Sequence, residues 1–517
     1  NHAGVVRDAT ARPVGRESQL MSSTNTPQGE HQLRKGSLGV LGIAFFVISA
    51  AAPLTAMAGG APVAMLLGNG AGIPFAYVIV AVLLLIFAVG YTAMARHHTS
   101  TGAFYSYVAR GLGQRAGGIA ALIALLGYNA MQIGLYGLFG AAASGFMEAQ
   151  FGVAWPWWSY VLIAGVIIGF LGYRQVDLSV KVLGVLVAAE FLIVVVLDLA
   201  VIIKGGQGGG AGLSMSSFSM DSLMSGSLAI ALLFNSASFI GFEATTIYSE
   251  EARDPKRTVP RATYAAVLTI GLFYTVTTWL MVNAQGADGL VDHIGGLTPD
   301  PTAFLFEISG IYLGELPTTI MTVLFATSVF AALLAFHNAV ARYFFALGRE
   351  GLLPTPLGHT HKIHLSPHKG SVSQSVLALV VIVVFIVAGQ DPVLALFTWL
   401  TQLGTLAILV LMALSSAAVT AFFARHKGLD TNPWRTTVAP IIGTVALGSV
   451  SVYAASQFGV LIGSPDSPLA WALPSLIVVA ALVGLALALR LRSTSPEQYA
   501  QMGRHRPSEV GLIDVGE

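Results

Sequence analysis

The segment FIGFEATTIYSEEARDPKRTVPRA, residues 239–262, begins inside a long apolar run and ends in dense mixed charge. The apolar run starts near residue 222, so Gly241 and Glu243 lie well within it and interrupt its apolar pattern. A carboxylate at bilayer depth costs about 2.5–3.5 kcal/mol on insertion scales, so Glu243 is expected to face protein or water. Pro255 and Pro260 then stop helix propagation among four basic residues. The segment predicts a helix that is broken inside a membrane and anchored at one face of it.

The composition of the whole chain indicates that lipid is its main solvent. Its 517 residues are 55% hydrophobic and 10% charged, with a mean hydropathy of +0.74. Soluble domains carry about 25% charged residues, so this chain cannot cover a water-facing surface. The net charge of +1 gives no indication of nucleic acid binding, and the absence of cysteine excludes disulfides and thiolate metal sites. We therefore predict an all-α membrane protein embedded in a lipid bilayer.

Twelve apolar runs have about the length of a transmembrane helix, which needs roughly 20 residues to cross the hydrocarbon core. We number them spans 1 to 12, and they occupy residues 38–67, 73–95, 117–148, 157–173, 178–203, 222–248, 262–284, 317–347, 372–389, 393–423, 437–462 and 469–490. These spans predict one domain of twelve transmembrane helices over residues 36–492.

The flanking segments are predicted to be tails. Residues 1–35 are interpreted as a disordered cytoplasmic N-terminal tail, and residues 493–517 as a cytoplasmic C-terminal tail. Residues 1–20 precede the first methionine, Met21, and are interpreted as an upstream extension.

The distribution of basic residues predicts the orientation of the spans. With the N-terminus inside, 25 of the 26 Lys and Arg residues fall in cytoplasmic segments, and only Lys204 lies outside. Basic residues are enriched on the cytoplasmic side, and a miscounted span would scramble this alternation. The pattern predicts a multi-pass protein of the cell membrane with both termini cytoplasmic.

Span 1 is also expected to break. It contains FFVISAAAPLTAMAGGAP, residues 45–62, in which Pro53 removes the bond to the carbonyl of Ser49 and Pro62 the bond to that of Ala58. In lipid, freed backbone groups must be satisfied by protein, water or ligand, so such breaks usually line a cavity. Spans 1 and 6 each open a set of five, and inverted repeats of five helices place broken helices at matching positions. A plain proline kink is the alternative for span 1.

Three motifs resemble those of the amino acid–polyamine–organocation permease superfamily. GFEATTIYSEEARDPKRTVPRA, residues 241–262, is similar to the family's Gly-Phe-Glu, acidic pair and D/N-P-K/R-R-T/S-V/I-P-R/K-A segment. HNAVARYFFALGREGLLP, residues 337–354, resembles the family motif after span 8, and STGAFYSYVARGLG, residues 100–113, resembles the run before span 3. The chain is identified as an amino acid permease-like member of this superfamily.

The resemblance implies a five-plus-five inverted repeat of the LeuT type, with broken helices 1 and 6. It implies secondary transport of a small molecule, an amino acid or related amine, by alternating access with a proton or sodium ion and no other cofactor. A non-transporting sensor is the alternative. No G-x4-G-K-S/T run occurs, so ATP drive is not expected. The spans hold no evident nucleophile–base pair, so an enzyme is not expected.

Half-helix ends at the two breaks form the predicted substrate site. In span 1 the resemblance implies a cradle made by Ser49, Ala50, Ala51 and Ala52. In span 6 the carbonyl groups, with one ring as a lid, come from Phe239, Ile240, Gly241 and Phe242. Many relatives carry a Gly-Ser-Gly-like element in span 1, so the alanines weaken the case for an α-amino acid. An amine without a carboxylate, such as ethanolamine or a polyamine, is therefore the alternative substrate.

Span 3 supplies two further candidates in GYNAMQIGLYG, residues 127–137. Asn129 and Gln132 share one helix face with Tyr136, because they are spaced at three and four residues. Direct substrate contact is one interpretation. The other is hydrogen bonding between helices, worth about 0.6 kcal/mol per bond.

Glu190 and Glu243 are the predicted coupling and gating residues. Proton-coupled relatives have a lysine in span 5, eleven residues after the serine of an S-A-K-V-N-like segment. LSVKVLGVLVAAE, residues 178–190, places Glu190 at that position. Proton carriage is favoured, and sodium binding or a structural ion pair are the alternatives. Glu243 is predicted to brace the broken helix or to form part of the inner gate.

A histidine-rich stretch, HTHKIHLSPH at residues 359–368, lies in a predicted cytoplasmic loop. Its histidines are His359, His361, His364 and His368. Imidazoles this close could bind zinc or nickel. A solvated loop is favoured, and no metal site is predicted.

Overall fold

The computed structural model describes residues 39–40, 43–44, 47–48, 51–97, 103–174, 180–243, 245, 254–361 and 366–503. These residues form helices and connections, and the only pairing of extended backbone among them is an isolated bridge between Gly206 and Ala211. The N-terminal tail, most of the C-terminal tail, Ser49 and Ala50 lie outside the described residues. The tail predictions therefore remain predictions.

The helices follow one another through short connections. In chain order they are α1 (Thr55–Leu67), α2 (Ile73–Ala95), α3 (Ala103–Leu112), α4 (Gln114–Phe151), α5 (Trp157–Tyr173), α6 (Val180–Lys204), α7 (Leu228–Ala237), α8 (Pro255–Gln285), α9 (Leu290–Gly296), α10 (Ala303–Leu313), α11 (Glu315–Arg349), α12 (His368–Val387), α13 (Thr398–Arg425), α14 (Ala439–Ser456), α15 (Leu469–Thr494) and α16 (Pro496–Gln501). Two π-helical segments, Pro392–Phe397 and Trp434–Val438, lead directly into α13 and α14.

Within the described residues, nine helices are long and apolar enough to cross a membrane: α2, α4, α6, α8 and α11 to α15. They coincide with nine of the twelve apolar runs. The other three runs contain the shorter apolar helices α1, α5 and α7, of 10–17 residues. The number of crossings, twelve, remains a prediction. The short apolar helix α10 lies in the connection between spans 7 and 8 and was not predicted.

Apolar side chains cover the outside of the bundle as well as its core. Val166, Ile203 and Val387 are exposed by 76%, 81% and 82%. Such residues on helices of this length are expected to face hydrocarbon. The helix α4 is the exception, since 83% of its most apolar window is buried inside the protein. It is therefore the central helix, with protein on every side.

Small residues bring α4 and α13 close together. A Cβ added to Gly404 would lie 2.7 Å from the carbonyl oxygen of Gly127, and one added to Gly134 would lie 2.9 Å from the backbone nitrogen of Thr401. Side chains at these glycines would push the helices apart. Such close backbone approach is typical of helix packing in membranes. The pair forms one wall of the cavity described below.

The first helix is interrupted where Pro53 predicts a break. Ala51 and Ala52 are not helical, Ala52 has a φ of +44°, and the helix resumes at Pro53. A proline is favourable in a first helical turn because its missing N–H has no partner there. Pro62 does not break the helix, so that expectation was wrong. It lies in the first turn of the α-helical part of α1, directly after a π-helical stretch at Thr55–Gly60.

The second interruption follows α7. The helix ends at Ala237, and residues 238–243 form turns. Gly241 has a φ of +115°, a backbone conformation that other residues rarely adopt. A glycine at this position therefore allows the chain to leave the helix inside the bundle.

Candidate functional site

A cavity of about 70 Å³ lies against both interruptions. Ala51, Ala52 and Thr55 line it on one side, and Ser238 and Ile240 line it on the other. The remaining wall residues include Met131 and Leu135 of α4, Thr401 and Gln402 of α13, and the rings of Phe234, Phe336 and Phe397.

The lining of this cavity is uncharged. Its described lining residues include no Asp, Glu, Lys, Arg or His, and its polar side chains are Thr55, Ser238, Thr401 and Gln402. A cation inside could contact three phenyl rings, and each cation–π contact is worth about 0.5–2 kcal/mol. The cavity thus suits a small molecule with an apolar body and few polar groups.

A chain of hydrogen bonds connects the cavity to a buried carboxylate. The hydroxyl groups of Thr55 and Ser328 lie 2.9 Å apart. The Ser328 hydroxyl donates to Oε2 of Glu190 at 2.9 Å, and the backbone N–H of Leu54 approaches the same oxygen at 3.4 Å. Glu190 is only 2% exposed. One carboxylate therefore joins the interrupted helix, α6 and α11.

Glu190 is the residue for which the sequence predicts a coupling role, and that role remains a prediction. Glu190 contacts span 1 through Leu54 and span 8 through Ser328. Within the described residues no basic side chain forms an ion pair with it. A structural ion pair was one alternative for Glu190, and the described contacts give it no support. A buried carboxylate with only uncharged partners is costly in its ionised form.

A second carboxylate holds the other interruption. Oε2 of Glu243 accepts a bond from the backbone N–H of Gly241 at 2.8 Å, and Oε1 accepts one from the Tyr128 hydroxyl at 2.6 Å. Tyr91 donates to the backbone oxygen of Glu243 at 3.3 Å. The side chain thus folds back over the turn and fastens it to α4. These contacts are those of a brace, the favoured interpretation of Glu243.

A smaller cavity of about 10 Å³ lies behind Ile240. Phe239, Phe242, Glu243 and Thr405 line it, and Ile240 contributes to both cavities. The Phe239 ring packs 5.9 Å from that of Tyr274, and the Phe242 ring packs edge-on against Phe87 at 5.9 Å. Ile240, rather than a phenylalanine, therefore separates the two spaces.

The structure brings together only part of the predicted site. Ala51, Ala52 and Ile240 line the main cavity, whereas Phe239 and Phe242 face the smaller one. Gly241 supplies the turn between them. Ser49 and Ala50 lie outside the described residues.

The geometry does not favour substrate contact by Asn129 or Gln132. The Asn129 amide donates to the carbonyl of Leu125 in its own helix at 2.6 Å. Oε1 of Gln132 accepts a bond from Gln374 of α12 at 2.6 Å. Neither residue lines either of the two cavities described here, and Gln132 forms the helix–helix bond that was the alternative interpretation.

Several residues of the site were missed from the sequence: the lining residues Thr55, Ser238, Thr401 and Gln402, and Ser328, which connects Thr55 to Glu190. One weak signal existed, because Thr55 follows Pro53 by two residues and so lies beside the predicted break. The others belong to no motif. Ser328 meets Thr55 across 273 residues of chain. Only packing identifies such a contact.

Glu350 forms a separate buried cluster at the end of α11. Oε1 accepts bonds from the Tyr105 hydroxyl at 2.9 Å and from the backbone N–H of Gly503 at 3.2 Å. Oε2 has no hydrogen-bond partner in the described part of the chain. Burial raises the pKa of the Glu350 carboxyl from 4.5 to about 6, and the bonds from Tyr105 and Gly503 only partly offset this loss of hydration.

We expect Glu350→Gln to be more stable than the wild type above pH 6. The folded pKa lies above the unfolded one, so the wild type loses stability as the pH rises from about 4.5 through 6. The loss is on the order of 2 kcal/mol, and glutamine avoids it while its oxygen keeps both bonds. Thermal unfolding between pH 4.5 and 8 measures the difference. The exposed Glu497→Gln is the matched control, and equal pH profiles for wild type and Glu350→Gln would contradict this prediction.

The predicted histidine cluster is only partly described. The rings of His361 and His368 lie 5.2 Å apart, and both pack against Tyr173 of α5. His364 lies outside the described residues. Among the residues described, no group of three or more potential metal ligands comes together.

Comparison with known proteins agrees with the three sequence motifs. Residues 38–486 match the family model described as amino acid permease. The low-affinity putrescine importer PlaP of Escherichia coli K12 is 24% identical over 393 residues, which cover 74% of this chain and 80% of the importer. The probable GABA permease of Pseudomonas aeruginosa is 25% identical over 391 residues, covering 73% and 75% of the two chains. The branched-chain amino acid permease BcaP of Bacillus subtilis is 23% identical over 385 residues, covering 69% and 76%.

Proposed function

The chain belongs to the amino acid permease family, and on this premise we propose that it imports a small amine or amino acid by proton-coupled alternating access. Its relatives are permeases rather than enzymes, and its nine long apolar helices make it a multi-pass membrane protein. We further propose that the cell membrane is its location and that both termini are cytoplasmic, as the distribution of basic residues indicates.

The proposed architecture is the five-plus-five inverted repeat with twelve spans over residues 36–492. The nine long helices supply spans 2, 3, 5 and 7 to 12. The three shorter helices α1, α5 and α7 supply spans 1, 4 and 6. Interruptions in the first and sixth spans support this arrangement, because inverted repeats place broken helices at matching positions.

One observation carries the proposal: the cavity at the two interruptions is connected to Glu190 by hydrogen bonds. The cavity touches Ala51 and Ala52 at one break and Ile240 at the other. Thr55 lines it and reaches Glu190 through Ser328. A change of charge on Glu190 would therefore act on the cavity wall and on the interrupted helix together. Such shared contacts are what a coupled transporter requires, because an ion can drive a conformational change only through differential contacts in the two states.

An amine is favoured over an α-amino acid as the substrate. A substrate carboxylate needs free N–H groups at the breaks. The N–H of Gly241 already donates to Glu243 and that of Leu54 to Glu190, while Ala51 and Ile240 donate to backbone carbonyls. Two N–H groups at the breaks are thus already bonded to the protein's own carboxylates. The putrescine importer PlaP is a relative of matching chemistry.

We propose the proton, rather than sodium, as the coupling ion. Sodium prefers several oxygen ligands, and among the described residues Glu190 is the one carboxylate bonded beside the first break. A proton needs only one basic group. In the proposed cycle Glu190 takes up a proton from the outside, the substrate binds in the cavity, and both are released after the protein opens inward.

Uptake by purified protein in liposomes tests this function. The panel comprises labelled putrescine, ethanolamine, GABA, lysine, leucine and glutamate, each under an imposed proton gradient, an imposed sodium gradient or none. We expect proton-driven accumulation of at least one amine. Binding without accumulation of any substrate would instead indicate a sensor, and accumulation under the sodium gradient alone would contradict proton coupling.

Pro53→Ala is expected to weaken substrate binding. Alanine restores an N–H and favours a continuous helix through the first interruption, which would narrow the cavity at Ala51 and Ala52. We expect roughly tenfold weaker binding, equivalent to about 1.4 kcal/mol, with normal expression. A thermal-shift titration measures the affinity. Pro62→Ala is the control because Pro62 lies in continuous helix. Equal affinities for both variants and the wild type would mean that Pro53 has only a structural role.

A further inference from the structure

A second carboxylate lies buried in α6, in addition to Glu190. Asp198 is 8% exposed, and its Oδ2 accepts a bond from the hydroxyl of Thr277 in α8 at 2.7 Å. Within the described residues it forms no ion pair. Buried carboxylates at membrane depth are rare unless they serve a function. The proposed transport cycle has so far given Asp198 no role.

Asp198 lies between Glu190 and the end of α6 at Lys204. The two carboxylates are eight residues apart, so they share one stripe of the helix and are separated by about 12 Å along its axis. The end at Lys204 is fixed to α10, because the Lys204 ammonium donates to the carbonyl of Tyr312 at 2.7 Å. In the proposed topology this end faces the outside.

Hydroxyl groups of α8 run alongside the two carboxylates. Thr277 bonds to Asp198, and Tyr274, one turn earlier, donates to the carbonyl of Ala51 at the first interruption. The Phe273 ring stacks on Phe191 of α6 at 4.1 Å, which puts Tyr274 at the level of Glu190. The hydroxyls of Thr277 and Tyr274 therefore lie along α8 between Asp198 and the first interruption.

In the part of the chain that the structure describes, no ion pair joins Asp198 to the helices packed against α6. On α8 the nearby titratable group is Tyr274, which donates to the carbonyl of Ala51. On α10 the Tyr312 hydroxyl donates to the carbonyl of Gly205 at 2.7 Å, and Glu307 bonds to His293 at 2.9 Å. On α11 the facing polar group is Ser328, whose hydroxyl donates to Glu190.

We propose that Asp198 is a second proton-binding carboxylate, which receives protons from the outer side and passes them to Glu190. In this step the carboxylic acid of Asp198 gives its proton to the carboxylate of Glu190, along the side of α8 that carries Thr277 and Tyr274. Asp198 becomes a carboxylate and is then reprotonated from the outer aqueous side. The proposal rests on the proposed proton coupling and adds the route by which the proton enters.

The transport test uses labelled putrescine as the probe, in liposomes with an inward proton gradient. We expect Asp198→Asn to lower gradient-driven uptake by about tenfold, within the roughly 5–150-fold range of typical coupling effects. Exchange of labelled for unlabelled putrescine without a gradient should be retained. Asp198→Glu should restore coupling, and the exposed Asp221→Asn is the matched control.

The outcomes separate this proposal from the proposed function. If Glu190→Gln loses coupling while Asp198→Asn keeps it, the relay is wrong and Glu190 remains the coupling group. If wild-type uptake does not respond to the proton gradient, the proposed function itself fails.

A second measurement needs no substrate and follows the proton alone. Infrared difference spectra of the purified protein during a pH titration record the carbonyl stretch of protonated carboxyl groups. We expect Asp198→Asn to lose one titrating band and Thr277→Val to shift the same band, because its hydroxyl bonds to the carboxylate. If Asp198→Asn loses no band, Asp198 does not exchange protons and the proposal is overturned, even if the variant is less stable.

Discussion

Glu190→Gln is expected to abolish accumulation of substrate under a proton gradient while leaving exchange intact. Glutamine resembles the protonated acid in shape and can keep the bonds from Ser328 and Leu54, but it cannot release a proton. The steady-state level of substrate under the gradient should therefore fall to the level reached without a gradient. Initial rates and steady-state levels in liposomes, with and without the gradient, measure it.

The exposed Glu148→Gln is the matched control, because it makes the same change on α4 away from the cavity. It should behave as the wild type. If Glu190→Gln concentrates substrate as well as the wild type, Glu190 does not couple transport. If it loses exchange as well, its role is structural rather than coupling.

Gly241→Val is expected to abolish substrate binding. Gly241 has a φ of +115°, and valine is β-branched and cannot adopt this conformation without strain. Strain of this kind costs about 1–3 kcal/mol. Relieving it would move the backbone N–H of Gly241, which donates to Glu243. The turn that carries Ile240 into the cavity wall would then change. A thermal-shift titration should show no saturable stabilisation by substrate.

The control for this variant is Gly165→Val, since a Cβ at Gly165 in α5 meets no other atom within 4 Å. Both proteins should remain monodisperse in detergent. Unchanged affinity in Gly241→Val would show that the second interruption does not form the binding site.

The features that the sequence predicted are those with a local cause. The nine long helices follow from hydropathy and length, and the break before Pro53 follows from a missing N–H. Glu190 was found because a motif fixes its position relative to Ser179. Each of these depends on neighbours within one segment of chain.

The features that were missed depend on packing between distant segments. Asn129 and Gln132 were chosen because they are polar, but α4 is buried on all sides, so polarity does not tell which face meets the cavity. Met131 and Leu135 lie on that face instead. Pro62 was expected to break α1, yet the π-helical stretch before it lets the helix continue. Gln402 lines the cavity at the breaks, where glycines allow α4 and α13 to pack closely.

The most direct test of the account is the number of protons exchanged when substrate binds. Isothermal titration calorimetry of the purified protein, in buffers of different ionisation enthalpy, gives this number from the slope of the measured heat. The account predicts a non-zero exchange for the wild type and a clearly smaller one for Glu190→Gln, because Thr55 of the cavity wall is linked to Glu190 through Ser328. The same proton exchange in both proteins would contradict the claim that Glu190 couples the proton to the substrate site.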